Sequence, residues 1–270
     1  MLTKCMENVR TTTPLIHAIT NYVTVNDCAN ALLACGASPI MADDQAEVEE
    51  ITALCAATVI NIGTLNQRTI SAMQLAAAKA NQLNHCLVLD PVGVGASRLR
   101  TQTAQQLLAN NHFTAIRGNV SEIKSLALGT GSTQGVDANI ADAITETNLP
   151  EAINFIRAFS KRTGAIIIVS GAWDIVSDAE NSYIIKNGNP LMSKITGSGC
   201  MSTCIIAAYL AANPQNMLQA TITAVSLMGL AGEKAAAISS GTDSLRNNIL
   251  DGLSSIDTEQ LKVGAQIDKF

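Results

Sequence analysis

The chain has 270 residues, a formal net charge of −5 at pH 7, 47% hydrophobic residues and 14% charged ones. That hydrophobic share excludes a disordered chain and suits a core that needs no disulfide or metal staple. An acidic balance with 3% aromatic residues supplies neither the phosphate-neutralising charge nor the stacking surfaces that nucleic-acid binding uses, so nucleic acid is not expected as a partner.

The first stretch, "MLTKCMENVRTTTP" (1–14), has no apolar run of the kind a secretory leader carries. No stretch anywhere reaches the roughly 18 uninterrupted apolar residues of a membrane span, so no membrane partner is expected. Seven cysteines, Cys5, Cys28, Cys35, Cys55, Cys86, Cys200 and Cys204, are scattered without a CxxC or a paired metal-ligand spacing. An odd, unpaired set of this kind suits a reducing, cytoplasmic setting. Most stand among alanines and leucines, where a free cysteine acts as a small hydrophobe.

"HAITNYVTVNDCAN" (17–30) offers His17, Asn21, Asn26 and Asn30 before and within an apolar helix pattern. A lone histidine there reads first as a hydrogen-bonded structural residue. "ASPIMA" (37–42) is a strand ending near Met41, followed by Asp43 and Asp44 as a helix N-cap and first-turn acid. "ATVINIG" (57–63), "CLVLDPVG" (86–93), "TAIRGN" (114–119) and "AIIIVSG" (165–171) are further apolar runs that suit strands buried on both faces of a parallel sheet. Helical patterns lie between them, at 64–84 and at 150–163 opening on Pro150. Such alternation predicts βαβ units and an α/β layer sandwich. "GTGSTQGVD" (129–137) follows a helix and reads as a lid or connection. Next, "WDIVS" and "SYIIK" flank "DAEN" as a hairpin, which gives the sheet an antiparallel edge, with Trp173 taken as core. From Gly199 to the end the composition is helical. Nothing marks a linker, so residues 1–270 are expected to form one domain.

Three stretches carry chemistry. "ITGSGC" (195–200) sets two glycines and Cys200 ahead of an apolar helix. Backbone N–H groups of Gly197, Ser198, Gly199 and Cys200 there would form an anion hole, and the helix end would lend Cys200 thiolate character; a tight turn with a core cysteine is the plain alternative. Asp90 ends a buried strand ahead of the loop "PVGVG", where open α/β sheets bind ligands, although an aspartate there also caps loops. In "IRGNVSEI" (116–123), Asn119 and Glu122 form nearly a capping box. With Arg117 they would crowd the same sheet edge as Asp90, and a carboxylate pair there suits Mg²⁺ held through waters and phosphates.

"PLIHAITNYVTVNDCANALLACGASPIMADD", "LDPVGVGASRLRT", "IRGNVSEI" and "ITGSGCMST" together resemble the hydroxyethylthiazole kinases of the ribokinase-like superfamily, over nearly the whole chain. The resemblance implies a ribokinase-like three-layer sandwich whose central sheet is mostly parallel with an antiparallel edge. It implies ATP-dependent, Mg²⁺-assisted phosphorylation of the hydroxyethyl group of 4-methyl-5-(2-hydroxyethyl)thiazole in thiamine salvage, by a homotrimer with active sites between subunits. By the same resemblance Arg117 and Ser170 bind ATP, and Met41, Gly197 and Asn21 bind substrate. Glu122, Asp90 and Asn119 then serve the metal, and Cys200 replaces the superfamily's usual aspartate base. The chain departs from the family pattern at Ser198, where threonine is common, and at Leu245, where an aromatic is common. Rival readings are another vitamin-precursor kinase or dehydratase of this fold, a cysteine hydrolase using Cys200 and His17, and a non-catalytic nucleotide sensor.

Overall fold

Period-two burial divides the strands between two cores. A computed structural model describes residues 1–129 and 144–270. Its six parallel strands are β1 (Leu15–Ile19), β2 (Ser38–Ile40), β3 (Ala57–Asn61), β4 (Cys86–Asp90), β5 (Ala115–Asn119) and β6 (Ile166–Ser170). Three antiparallel strands, β7 (Asp174–Ser177), β8 (Ser182–Ile185) and β9 (Ile267–Lys269), complete one sheet in the order β2-β1-β3-β4-β5-β6-β7-β8-β9.

Because successive side chains of a strand point to opposite faces, Ala57, Val59, Cys86, Val88, Ile166 and Ile168 join one core. Ile60, Leu87, Leu89, Ile116, Ile167 and Val169 join the other. The first core is closed by α1 (Leu2–Thr12), α2 (Val25–Cys35), α8 (Ser198–Ala212), α9 (Met217–Ile238) and α10 (Thr242–Ser255), with Leu261 of α11 (Thr258–Gly264). Between the second and eighth helices in the chain come α3 (Val48–Leu54), α4 (Gln67–Gln82), α5 (Arg98–Asn110), α6 (Val120–Leu128) and α7 (Leu149–Thr163), which cover the other face. This is the expected three-layer sandwich with its antiparallel edge. Among the described residues no helix is long and apolar enough to cross a membrane.

The differences from expectation have local causes. "LIHAI" folds as β1, although a histidine at its centre breaks the apolar run. That residue is accommodated because His17 Nδ1 lies 2.9 Å from the Thr52 hydroxyl and Nε2 lies 2.9 Å from the Ala42 carbonyl. Asp43 and Asp44 are not a helix start, since α3 begins at Val48 after Glu47. Asp44 instead accepts the Ala46 N–H at 2.9 Å, and both acids face Arg68 at 3.9 and 3.8 Å. Trp173 is half-buried, with Lys186 Nζ 5.6 Å from its ring centre, rather than core. The C-terminal third closes on a strand, β9, not on a helix. Leu245 is buried against the first core, so the smaller side chain still packs there. Of the glycine-rich stretch 129–137, only Gly129 lies within the described residues.

The arrangement puts every parallel strand's carboxyl end on one edge. Register then sets Asn61 opposite Asp90 and Asn119 opposite Ser170. Along that edge the chain presents Met41, Asn21, Asn61, Asp90, Asn119 and Ser170 after or at the ends of β2, β1, β3, β4, β5 and β6. Five strand spacings of about 4.8 Å separate the two ends of this row, roughly 24 Å.

Candidate active site

Helix α8 opens at the centre of that edge with no side-chain cap. Gly197 precedes it at φ 90°, a left-handed conformation that favours glycine. The first helical bond runs from Met201 N–H to the Gly197 carbonyl at 2.8 Å. The N–H groups ahead of it point beyond the helix end, where the macrodipole adds positive potential. A methyl group at Gly197 would meet Thr24 Cγ2 at 2.9 Å, and one at Gly199 would run into the Arg117 guanidinium. Bare backbone is therefore required at Gly197, while at Gly199 any side chain would displace the Arg117 guanidinium. Ser198 donates to the Met192 carbonyl at 3.2 Å, tying the helix start to the 3₁₀ turn Pro190–Lys194.

Cys200, in the first turn of α8, is the one cysteine of seven that is not fully buried. Its sulfur accepts N–H bonds from Asn21 Nδ2 at 3.3 Å and Asn61 Nδ2 at 3.2 Å. Burial, reinforced by the negative charge of Asp90, nevertheless raises the thiol above its ordinary range, outweighing the bonds from Thr24 and Asn21. The expected thiolate character is thus overturned. The helix end favours the anion, but loss of water and a neighbouring carboxylate favour the neutral thiol more.

Asp90 lies directly behind this cysteine and is only 1% exposed. Its Oδ2 accepts from Asn61 Nδ2 at 2.8 Å and from the Thr203 hydroxyl at 2.8 Å. Its Oδ1 is buried and has no hydrogen-bond partner among the described residues. Burial pushes this carboxyl up to about 6, opposed by Arg117, Thr203 and Asn61 and assisted by the charge of Glu122. An unpartnered carboxylate oxygen is costly unless something outside the chain meets it.

Glu122 and Asn119 form the reciprocal capping box. Asn119 Oδ1 accepts the Glu122 N–H at 2.9 Å, and Glu122 Oε2 accepts the Asn119 N–H at 2.9 Å. Glu122 Oε1 also accepts the Gly93 N–H at 2.8 Å, which ties the loop after β4 to the start of α6. Among the described residues no three His, Cys, Asp or Glu side chains gather closely enough to cage a metal. Magnesium bound through phosphates and water needs only one or two carboxylates. Asp90, with its bare oxygen, and Glu122 fit that requirement.

Arg117, Ser170, Asp174, Ser198 and Gly199 share a cavity of about 540 Å³ with the turn around Asn189. That volume lies within the range of small-molecule pockets. Ser170 donates to the Gly118 carbonyl at 3.4 Å. Met41 stands apart, half-buried against the first core at the far end of the edge. His17 is held by Thr52 and the Ala42 carbonyl rather than by Cys200, so among the described residues these two do not form the pair a cysteine hydrolase needs.

Asn61, which bonds both Cys200 and Asp90, and Thr203, which bonds Asp90 and the Gly199 carbonyl, carry no motif signal in the sequence. An asparagine closing an apolar run at the same strand end as Asp90 was the available signal. Arg100 was missed too: it donates to the carbonyls of Val92 at 2.7 Å and Gly63 at 2.7 Å, fastening the loops after β4 and β3.

A mostly parallel sheet with an antiparallel edge, and an uncapped helix start facing an acidic strand end, make this an α/β sandwich with the fold found in ribokinase-like proteins. The same fold occurs in a ribokinase-like superfamily protein from Enterococcus faecalis, with a TM-score of 0.63 at 14% identity over 94% of this chain and 89% of that one. A family model, "HK: Hydroxyethylthiazole kinase family", matches residues 6–259, and the chain belongs to the hydroxyethylthiazole kinase family. The hydroxyethylthiazole kinase of Clostridium acetobutylicum is 54% identical over 273 residues, covering 100% of both chains. That of Desulfovibrio desulfuricans is 48% identical over 97% of this chain and 95% of its own. The solved structure of a hydroxyethylthiazole kinase protein from Pyrococcus horikoshii superposes with a TM-score of 0.89 at 33% identity, covering 100% of this chain and 98% of that chain.

Proposed function

We propose that this kinase, a single domain over residues 1–270, transfers the γ-phosphoryl group of ATP to the hydroxyl of 4-methyl-5-(2-hydroxyethyl)thiazole, a step of thiamine salvage. The observation that carries the reading is Cys200, set at the uncapped start of α8 and joined to Asp90 through Asn61. The alcohol oxygen attacks the γ-phosphorus, the bond to the ADP oxygen breaks, and the hydroxyl proton leaves late in a loose transition state, to an oxygen of the transferred phosphoryl group and from there to water. The N–H groups of Ser198, Gly199 and Cys200, with Arg117, hold the developing phosphoryl charge. Cys200 orients the hydroxyl as a neutral thiol. Arg117 and Ser170 take the nucleotide side, and Met41, Asn21 and Gly197 the thiazole side. Mg²⁺, held by Asp90 and Glu122 with Asn119 nearby, would neutralise charge on the phosphates.

The homotrimer and the cytoplasmic setting belong to the same proposal. Tyr22 and Val23, beside the thiazole-side Asn21, are 76% and 56% exposed. Large apolar side chains exposed at that edge suit a neighbouring subunit that covers them. Light scattering is expected to give a trimer, and a fully active monomer would refute the shared site. The decisive assay is ADP release with and without the thiazole alcohol at saturating Mg²⁺-ATP. Release that depends on the thiazole supports the reading; release unaffected by it, or none at all, rejects it.

A further inference from the structure

Asn61 belongs to none of the site motifs, yet it makes four hydrogen bonds, its full capacity, all inside the site. Its Oδ1 accepts the Gly63 N–H at 2.9 Å and Asn21 Nδ2 at 3.1 Å. Its Nδ2 donates to Asp90 Oδ2 at 2.8 Å and to Cys200 Sγ at 3.2 Å. These partners fix the amide orientation. A backbone N–H requires the oxygen, and a carboxylate oxygen requires the N–H, so the flipped amide would set donor against donor and acceptor against acceptor. The residue is 1% exposed, and a methyl group at Gly63 would press on Asn61 Oδ1 at 3.0 Å, so there is little room for another orientation.

We propose that Asn61 is a positioning residue for phosphoryl transfer, one amide group that sets the Cys200 sulfur and the Asp90 carboxylate in fixed relation to each other. The inference rests on the kinase reading given above. The side chain is divided by role. The oxygen end binds backbone and Asn21 and secures the turn after β3. The nitrogen end faces the two groups beside the reacting phosphate. With both N–H bonds of one planar NH₂ engaged, neither the sulfur nor the carboxylate can shift without breaking a bond.

The division of roles gives a test. Asn61→Asp retains oxygen acceptors for Gly63 and Asn21 but removes both donors, and Asn61→Ala removes both ends. Steady-state kinetics with the thiazole alcohol and Mg²⁺-ATP are read beside thermal melts. A second assay, without substrate, follows iodoacetamide alkylation of Cys200 by mass spectrometry; the six other cysteines are buried. For Asn61→Asp, kcat is expected to fall about 100-fold while both KM values stay within about twofold, and the melting temperature is expected to drop because a second carboxylate is buried against Asp90. Alkylation at pH 8 is expected to slow about tenfold, because a carboxylate replaces an N–H donor beside the thiol. Asn61→Ala should show the same split in kcat with a lowered melting temperature. Wild-type kcat and alkylation in Asn61→Asp would overturn the proposal, as would KM values that rise in step with the loss of kcat. If the wild-type protein releases no ADP with the thiazole alcohol, the substrate assignment fails. The alkylation rates still decide whether Asn61 governs the cysteine.

Discussion

Two acidic residues at neighbouring strand ends of the same sheet edge are held in opposite ways. Glu122, after β5, is half-buried, and each of its oxygens accepts a backbone N–H, one from Asn119 and one from Gly93. Asp90, at the end of β4, is fully buried, is held on one oxygen by side chains, and has its other oxygen bare. The backbone satisfies the first acid, whereas the second is left with a buried charge that a proton or an added group would relieve. One residue class at one edge thus serves local structure in one loop and holds reactive potential in the other.

The largest expected effect is on the buried acid. Asp90→Asn keeps the shape and removes the charge. We expect kcat/KM to fall by at least about 1,000-fold, since a charge beside the transferred phosphoryl group acts in a site shielded from water. Stability should move the other way. The folded-state pKa of Asp90, raised to about 6 from 3.8, means that the folded state holds this proton more tightly than the unfolded chain does. Stability from this group is therefore present below about pH 4 and is lost as pH rises through 6. At pH 7.5, without Mg²⁺, Asp90→Asn is expected to be more stable than wild type by about 2–3 kcal/mol, and the gain should disappear near pH 4. Urea unfolding in the presence of EDTA at the two pH values measures this. A variant that is less stable at pH 7.5 would show that Asp90 is a structural acid like its neighbour.

A smaller effect is expected at Glu122, where the two roles overlap. Glu122→Gln retains one oxygen acceptor, so it keeps one of the bonds from Gly93 and Asn119 without charge assistance and sets its NH₂ against the other N–H. Loss of roughly 1 kcal/mol in stability is expected from the weakened cap. Turnover should fall about tenfold, and the Mg²⁺ concentration for half-maximal rate should rise. Titration of the rate with Mg²⁺ separates the outcomes. If full activity returns at saturating Mg²⁺ with an unchanged half-maximal point, Glu122 is a cap alone.

The contrast between the two acids was only half legible in the sequence. Asn-x-x-Glu announces a capping box because its partners are three residues apart, and the strands announce themselves because both faces of β3, β4 and β6 are buried, giving unbroken apolar runs. β1 escaped notice since His17 interrupts its run, and its partner Thr52 is supplied by α3, distant in the chain. Asn61 escaped for a related reason: an asparagine at a strand end looks like the start of a turn until register sets it opposite Asp90. The charge state of Cys200 could not be read at all from "ITGSGC". Local sequence displays the helix end, which lowers a thiol pKa, but not the carboxylate and the loss of water that raise it.

Cys200 is where these long-range effects meet, and its removal is expected to cost turnover no more than the change at Glu122, without the loss of the helix cap. A working general base supplies about 100- to 10,000-fold. A thiol raised above its ordinary range holds its proton at neutral pH and cannot act as that base in most molecules. In a loose phosphoryl transfer the alcohol proton leaves late, so orientation matters more than deprotonation. Cys200→Ala should therefore lose about tenfold in kcat, with the thiazole KM nearly unchanged, because the α8 N–H groups remain in place. Cys200→Asp should be active, since Asn21 and Asn61 can donate to a carboxylate as they do to sulfur. It also sets a second negative charge near Asp90, and the pair should titrate apart, with one member pushed upward. Rate against pH for the three enzymes tests the argument. If Cys200→Ala loses 1,000-fold or more while Cys200→Asp matches wild type, the thiolate is the base in spite of its burial, and the two-acid contrast must be redrawn with Cys200 as the third charged group of the edge.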